Sequence, residues 1–347
     1  MEPRELSTRY PRGGKALIGP LTRFGPQETI RWFEARGVKL KTESDGRMFP
    51  VTDSSQSIID CLTQAAHQAG VKVIPEAGVQ SIRTVEGGGF LLQLTHGATM
   101  ECDRFLWAGG GCRPDSHPIP ALGHSLVPPV PSLFTFHVEL PWVRSMAGLT
   151  VTEVEVSVPD LHLKEKGPLL FTHQGVSGPA ILRLSAWGAR PLHEKNYRFP
   201  LQIKWLPRLT QAEILQEIQA RRETQGAQMV MRAKWNPLPS RLWEQLATHA
   251  GITAEDRWSK LPRESGIRLA QTLQATELPV SGKSMNKEEF VTCGGIPLQE
   301  VDLKTMQSRL VPGLYFAGEA LDIDGVTGGF NFQAAWTTGW IAGQSMA

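Results

Sequence analysis

Residues 313–343 read GLYFAGEALDIDGVTGGFNFQAAWTTGWIAG and carry the clearest chemical potential in the chain. A short apolar run from Leu314 to Ala317 predicts a strand that ends in Gly318-Glu319. A loop with three glycines follows, and an apolar helix is expected to begin near Asn331. A dinucleotide site requires this order of parts. The carboxylate accepts hydrogen bonds from ribityl or ribose hydroxyls. Glycines let the backbone approach the ligand, and the helix N-terminus offers partial positive charge to a phosphate or an electron-rich ring.

Three further stretches combine reactive or permissive residues. The first is LWAGGG, residues 106–111, an apolar run that ends in Ala108-Gly109-Gly110-Gly111. Such a strand, returning from a three-stranded meander, resembles a feature of two-dinucleotide-binding flavoproteins, where small residues leave room for the cofactor. The alternative is a plain glycine-rich turn. The second is FTHQGVSGPAIL, residues 171–182. Here His173 can donate a proton or hydrogen-bond a substrate or flavin, and Ser177 can cap the helix that follows. A loop histidine satisfying nearby carbonyls stands beside that reading. The third is VTCGG, residues 291–295, in which Gly294-Gly295 read as a tight turn. Cys293 has no His or Lys beside it in sequence and reads as a buried, inert thiol. Glu319, Asp322 and Asp324 have no calcium-loop spacing, so no metal is expected. Trp336 and Trp340, at helical spacing, read as core.

The elements that position these residues follow from local pattern. Residues 1–20, rich in Arg, Gly and Pro, read as irregular. Residues 26–36 predict a helix stopped by Gly37. Asp53, with Gln56 three positions on, predicts a capped helix whose apolar face is Ile58, Ile59, Leu62, Ala65, Ala66 and Ala69, followed by a strand at 71–74. Strands at 79–85, 90–95 and 99–102, joined by glycine turns, predict a meander, and 104–108 predicts a buried strand. A Pro-rich stretch from Pro114 to Pro131 marks a boundary. Strands are then expected at 133–140, 148–158, 169–172 and 198–205. Residues 207–275 turn helical, with capping boxes at Thr210/Glu213 and Thr253/Asp256, and 280–295 returns to β. A chain that leaves a sheet and later rejoins it implies a discontinuous first domain.

The bulk properties narrow the class. The chain has 347 residues, 41% of them hydrophobic, and a formal charge of +2. The near balance argues against a nucleic-acid or membrane partner, and Arg221-Arg222 read as a solvated pair. No apolar run is long enough to cross a bilayer, and there is no apolar signal core. The four cysteines (Cys61, Cys102, Cys112 and Cys293) show no CxxC and read as thiols of a reducing cytoplasm.

Taken together, GRMFPVTDSSQSI (46–58), LWAGGG, FTHQGVSGPAIL, VTCGGIPLQEVDLKTM (291–306) and the C-terminal run resemble the HI0933-like flavoproteins. These are also described as BaiN-like or aminoacetone-oxidase-like NAD(P)/FAD-dependent oxidoreductases. The resemblance implies an α/β fold: an FAD-binding, Rossmann-like, two-dinucleotide-binding domain with inserted β-barrel-like and small helical domains. The segments would be 1–128 with 296–347, then 129–206 with 276–295, and 207–275. FAD would be the cofactor and NAD(P)H a co-substrate, acting on a small molecule. Ala108, Gly109, Gly110, Gly111, Gly294, Gly318, Glu319, Gly328, Gly329, Phe330 and Asn331 would bind FAD, with His173 as the catalytic candidate.

The family pattern opens with a strand, a GxGxxG turn and a helix, and this sequence shows no such segment. The expectation is an incomplete FAD domain in a truncated copy, with exposed sheet edges that another copy or an upstream-encoded fragment would cover. A non-catalytic remnant or interaction module is the alternative. An FAD-dependent RNA-modifying enzyme shares the fold class, and the lack of a basic stripe argues against it.

Overall fold

The opening residues are helical where the sequence reads as irregular. Helices Pro3–Ser7 and Gly14–Arg23 bracket a turn at Gly13, whose φ is +74°. Glycine and proline break the local pattern there, and burial of Leu6, Leu17 and Leu21 supplies what propensity lacks. The structure is a computed structural model that describes residues 1–43, 46–111, 117–284 and 291–347. The reading of Cys112 therefore falls outside the described residues, as does part of the expected β segment at 280–295.

The chain divides into two compact units, Met1–Val130 with Val291–Ala347, and Pro131–Phe290. The first unit contains a four-stranded sheet in the order Val301–Asp302, Gln307–Ser308, Leu314–Phe316, Phe105–Trp107. The last two strands run parallel, with Leu314 opposite Phe105 and Phe316 opposite Trp107. The expected meander is present as Val79–Thr84, Phe90–Leu94 and Thr99–Cys102. Leu17, Phe90, Ile119, Leu314, Phe316 and Ile341 belong to one buried cluster of this unit.

Three features of the unit depart from the sequence reading. The helix Gln56–Gln68 starts later than expected, and Asp53 sits at φ +53° with its carboxylate on the Lys41 ammonium instead of capping the helix. Its apolar face is open: Ile59 and Leu62 are exposed, and only Cys61 is buried. Residues 71–74 form no strand, and Val73 is 71% exposed. A β-branched run becomes a strand only beside a ladder that accepts it, and this one has none among the described residues.

An N-terminal strap ties into the C-terminal loop. The Arg12 guanidinium pairs with the carboxylate of Asp324, which has no solvent exposure. The Val326 amide donates to the Arg9 carbonyl at 2.9 Å, and the Tyr10 hydroxyl donates to the Phe330 carbonyl at 2.7 Å. Burial pushes the Tyr10 hydroxyl well above the usual phenol range, so it stays a donor. A second clasp links buried His124 to the sheet: Nδ1 lies 2.6 Å from Glu300 and Nε2 2.8 Å from the Ser308 hydroxyl. Burial works to raise the Glu300 carboxyl. Hydrogen bonds from Ser125 and His124 outweigh it and hold the group below the usual range.

The second unit is built on a closed six-stranded barrel in the order Leu163–Thr172, Gly175–Ser177, Thr135–Val138, Thr276–Ser284, Phe199–Lys204, Thr150–Val158. Alternate residues such as Phe136, Val154, Val156, Leu201 and Ile203 fill it. Helices Gln211–Thr224, Ser240–His249 and Arg263–Gln274 supply the helical part. The Thr210/Glu213 box forms as expected, whereas Thr253/Asp256 closes a turn and no helix starts there. Arg221 and Arg222 are half-buried, contrary to their reading as a solvated pair. Arg221 lies 4.6 Å from the Trp235 ring, and Arg222 donates to the Leu261 carbonyl. Ser177 caps no helix; its hydroxyl accepts from Thr135. Among the described residues no helix is long and apolar enough to cross a membrane.

Arg12→Ala leaves the buried Asp324 carboxylate without its guanidinium. The expected loss is about 3–5 kcal/mol of unfolding free energy. Urea denaturation followed by circular dichroism measures it, and an unchanged midpoint would refute the strap.

Candidate functional site

Leu314–Phe316 is a fully buried apolar strand, as its composition requires of a central parallel strand. Its in-register partner is Phe105–Trp107, and the Ala317 amide donates to the Trp107 carbonyl at 3.2 Å. The two strands therefore end together. Ala108 to Gly111 leave one strand where Ala317 to Glu319 leave the other, and ligands of open α/β sheets bind at such carboxyl ends.

Gly318 begins a single 3-10 turn at φ +64°, a region that favours glycine, and its amide donates to the Thr338 hydroxyl at 2.8 Å. The turn leaves Glu319 half-buried. Burial, and then the negative charge of Asp324, pushes its carboxyl above the usual range. A carboxylate held this way gains when a ligand hydroxyl donates to it.

The loop beyond Glu319 is pinned by its own polar groups. The Asn331 side chain accepts from the Gly325 amide at 2.7 Å and donates to the Gly325 carbonyl at 3.1 Å. Asn331 thus closes the loop, and its amide is spent on backbone. Helix Phe330–Met346 opens on Gly329 at φ +88°, with open space at its Cβ position and no side-chain cap. Its first amides are the uncapped donors of the expected motif. Phe330 lends its carbonyl to Tyr10, and Gly328 lies against the Phe330 ring.

Gly294 and Gly295 sit in the strand Val291–Gly295 and form no tight turn there. A Cβ on Gly294 would lie 2.7 Å from the Pro128 carbonyl oxygen, so backbone lies against backbone there. Cys293 is buried. A Cβ on Gly111 would lie 2.1 Å from the Thr292 hydroxyl. Trp336 and Trp340 are half-buried; Trp340 packs against the buried cluster of this unit and stacks on Phe24. With Trp32, Phe33 and Leu62 they wall an apolar cleft of ≈ 250 Å³.

His173 stands in the barrel unit, in the exposed turn between Leu163–Thr172 and Gly175–Ser177. The Thr172 hydroxyl accepts the amides of Gln174 and Gly175 and sets that turn. Among the described residues no cluster of His, Cys, Asp and Glu is placed to hold a metal.

Two polar side chains that the sequence did not flag belong to this region. Trp107 Nε1 and Thr292 Oγ1 are buried and have no hydrogen-bond partner among the described residues. The only sequence signal was their place beside glycine runs, which is too common to single them out.

A family profile described as the HI0933-like protein Rossmann domain matches residues 1–345. The ribosomal RNA dihydrouridine synthase of Escherichia coli K12 is 28% identical over 344 residues, spanning 94% of this chain and 80% of that protein. The ribosomal RNA dihydrouridine synthase of Haemophilus influenzae is 26% identical, over 94% of this chain and 81% of its own. The 3-dehydro-bile acid delta(4,6)-reductase of Clostridium scindens is 25% identical, over 94% and 81%.

The raised Glu319 carboxyl fixes a sign. The folded chain favours the protonated form, so this group's contribution to stability is lost as pH rises above the ordinary carboxylate range. Glu319→Gln is expected to melt with the wild type near about pH 4 and above it near about pH 8, where only the wild type carries the half-buried charge. Equal melting temperatures at both pH values would show that Glu319 feels no such environment.

Proposed function

Because the chain belongs to the HI0933-like family, we propose that it is an FAD-dependent oxidoreductase that works as a reductase. The observation that carries this reading is the shared edge of the two parallel strands. It gathers Ala108 to Gly111, Gly318 and the half-buried carboxylate of Glu319 at one place. The uncapped start of helix Phe330–Met346 follows Glu319 closely in the chain.

These residues fit FAD. Gly110 and Gly329 present backbone with open space before it, and two buried polar side chains beside the Ala-Gly-Gly-Gly run await acceptors. Bound FAD would supply hydride chemistry, replenished by NAD(P)H. Glu319 would accept hydrogen bonds from its sugar-like hydroxyls. The first amides of helix Phe330–Met346 would favour negative charge at their end. Arg12, Tyr10 and Asn331 would hold the loop between them in place. His173 is the candidate to donate a proton to, or hydrogen-bond, the substrate.

The relatives' names share a reaction class. A dihydrouridine is a uridine saturated across its ring C=C, and the bile-acid reductase is named for two double bonds. Hydride and proton addition across an activated C=C is accordingly the proposed chemistry. A small conjugated molecule fits the balanced charge. Uridine in ribosomal RNA is the rival substrate, favoured by the names of two relatives.

A second reading, an interaction module, is favoured by the apolar residues left in solvent: Ile59, Val71, Val73, Ile74, and Phe332 at 67% exposure. In that case a second copy or a separately encoded segment covers them.

Mixing the purified chain with FAD, then gel filtration, decides between the two. The reductase reading expects a yellow protein peak, bleached by NADH or NADPH under anaerobic conditions. Its colour then returns on adding a conjugated ketone or, for the rival substrate, unmodified ribosomal RNA. A folded chain that elutes colourless and gains no melting temperature from FAD would sink the reading.

A further inference from the structure

Four buried side-chain polar atoms lack a partner among the described residues: Trp107 Nε1, Arg222 Nε, Trp258 Nε1 and Thr292 Oγ1. Native proteins satisfy nearly all such groups, so each exception calls for a cause. Arg222 and Trp258 sit in the barrel unit. Arg222 already donates through Nη2 to the Leu261 carbonyl, and the Trp258 ring packs beneath the Arg221 guanidinium at 5.5 Å. The other two lie in the first unit and share one neighbourhood.

They bracket the same three glycines. The Trp107 ring folds back on Gly109, where a Cβ would meet Cζ2 at 2.7 Å. The Thr292 hydroxyl lies against Gly111, where a Cβ would meet it at 2.1 Å. Trp107 is only 9% exposed, and its ring neighbours are Phe105 and His117. Burial holds His117 below the usual imidazole range, and its Nδ1 accepts from the Ile119 amide. Among the described residues nothing therefore serves the indole N–H.

We propose that Trp107 Nε1 and Thr292 Oγ1 are ligand-facing groups that hydrogen-bond oxygen acceptors of the bound dinucleotide at the Ala108–Gly111 edge. This rests on the flavin reading. The indole N–H only donates, so its partner is an acceptor. Phosphate, ribityl and ring-carbonyl oxygens all qualify. A side chain at Gly111 would displace the Thr292 hydroxyl, whereas a Cβ at Gly110, between the two groups in the chain, would meet nothing within 4 Å, which leaves backbone open to such an oxygen. In the free chain both groups forgo the hydrogen bonds that water would give them, and the ligand restores them.

This makes a paired expectation of opposite signs. Thr292→Val keeps the shape and removes the hydroxyl. Without ligand it should melt at or above the wild-type temperature, because an unpaired buried group has gone. With FAD it should bind about tenfold more weakly, the size of one lost hydrogen bond. Thr292→Ser should restore affinity. Trp107→Phe should weaken binding similarly; its own stability is not diagnostic, since it also removes volume.

Fluorescence titration with FAD, FMN and ADP, beside melting of the ligand-free chains, reads both arms. Loss confined to ADP places the acceptor at the phosphate end, and loss confined to FMN places it at the flavin end. A ligand-free Thr292→Val that melts below the wild type overturns the proposal, because the hydroxyl is then satisfied within the protein. Wild-type affinity in both Thr292→Val and Trp107→Phe overturns it while leaving the flavin reading intact. A folded wild type that takes none of the three probes ends both.

Discussion

The parallel pairing of Phe105–Trp107 with Leu314–Phe316 is the constraint on which the first unit turns. Parallel strands need a crossover, and here the crossover contains the whole of Pro131–Phe290. Register decides what the pairing delivers. With Trp107 opposite Phe316, both strands end at one edge and their glycine exits become neighbours. A shift of one residue would exchange the faces that Tyr315 and Phe316 occupy and offset the two glycine exits by about 3.3 Å. The apolar burial of Leu314 and Phe316 holds the register, since neither side chain can be moved to solvent without loss.

The loop beyond that edge is tied down by charge as well as by hydrogen bonds. Asp324 has no solvent exposure and is held by Arg12, so its charge is balanced but still felt at Glu319. Asn331 and Tyr10 consume the loop's own carbonyls and amides. What remains uncommitted is the Glu319 carboxylate, the opening amides of helix Phe330–Met346 and the two orphaned polar atoms. A loop pinned by its own polar groups, next to unmet polar groups at one strand edge, is preorganised for a ligand at that edge.

Much of this was legible in the sequence, and the limits have physical causes. The glycine-turned meander and the Thr210/Glu213 box depend on neighbours a few residues away, so local pattern specifies them. The strand before Gly318-Glu319 was legible for the same reason. Helix Gly14–Arg23 was not, because Gly13 and Gly14 break the pattern and distant packing against Ile323 and Leu298 decides the matter. Residues 71–74 misled in the opposite sense, since β-branched composition reports a readiness to pair and nothing about whether a neighbour exists. Arg221 is a third kind of miss: its charge suggested water, while Trp235 and Trp258 offered ring faces. Trp107 and Thr292 lie furthest from legibility, because an unmet hydrogen bond is a property of three-dimensional surroundings.

The strap between Arg12 and Asp324 also sets a timetable. The barrel unit is one continuous stretch and can complete its sheet as soon as Ser284 has emerged from the ribosome. The first unit has no such freedom. Helices Pro3–Ser7 and Gly14–Arg23 wait, unlatched, because the partner of Arg12 arrives at position 324 and that of Tyr10 at position 330. Between Ser284 and Asp324 the growing chain is thus a finished barrel beside an unfinished first unit, which closes only when residues 324 to 330 have been made.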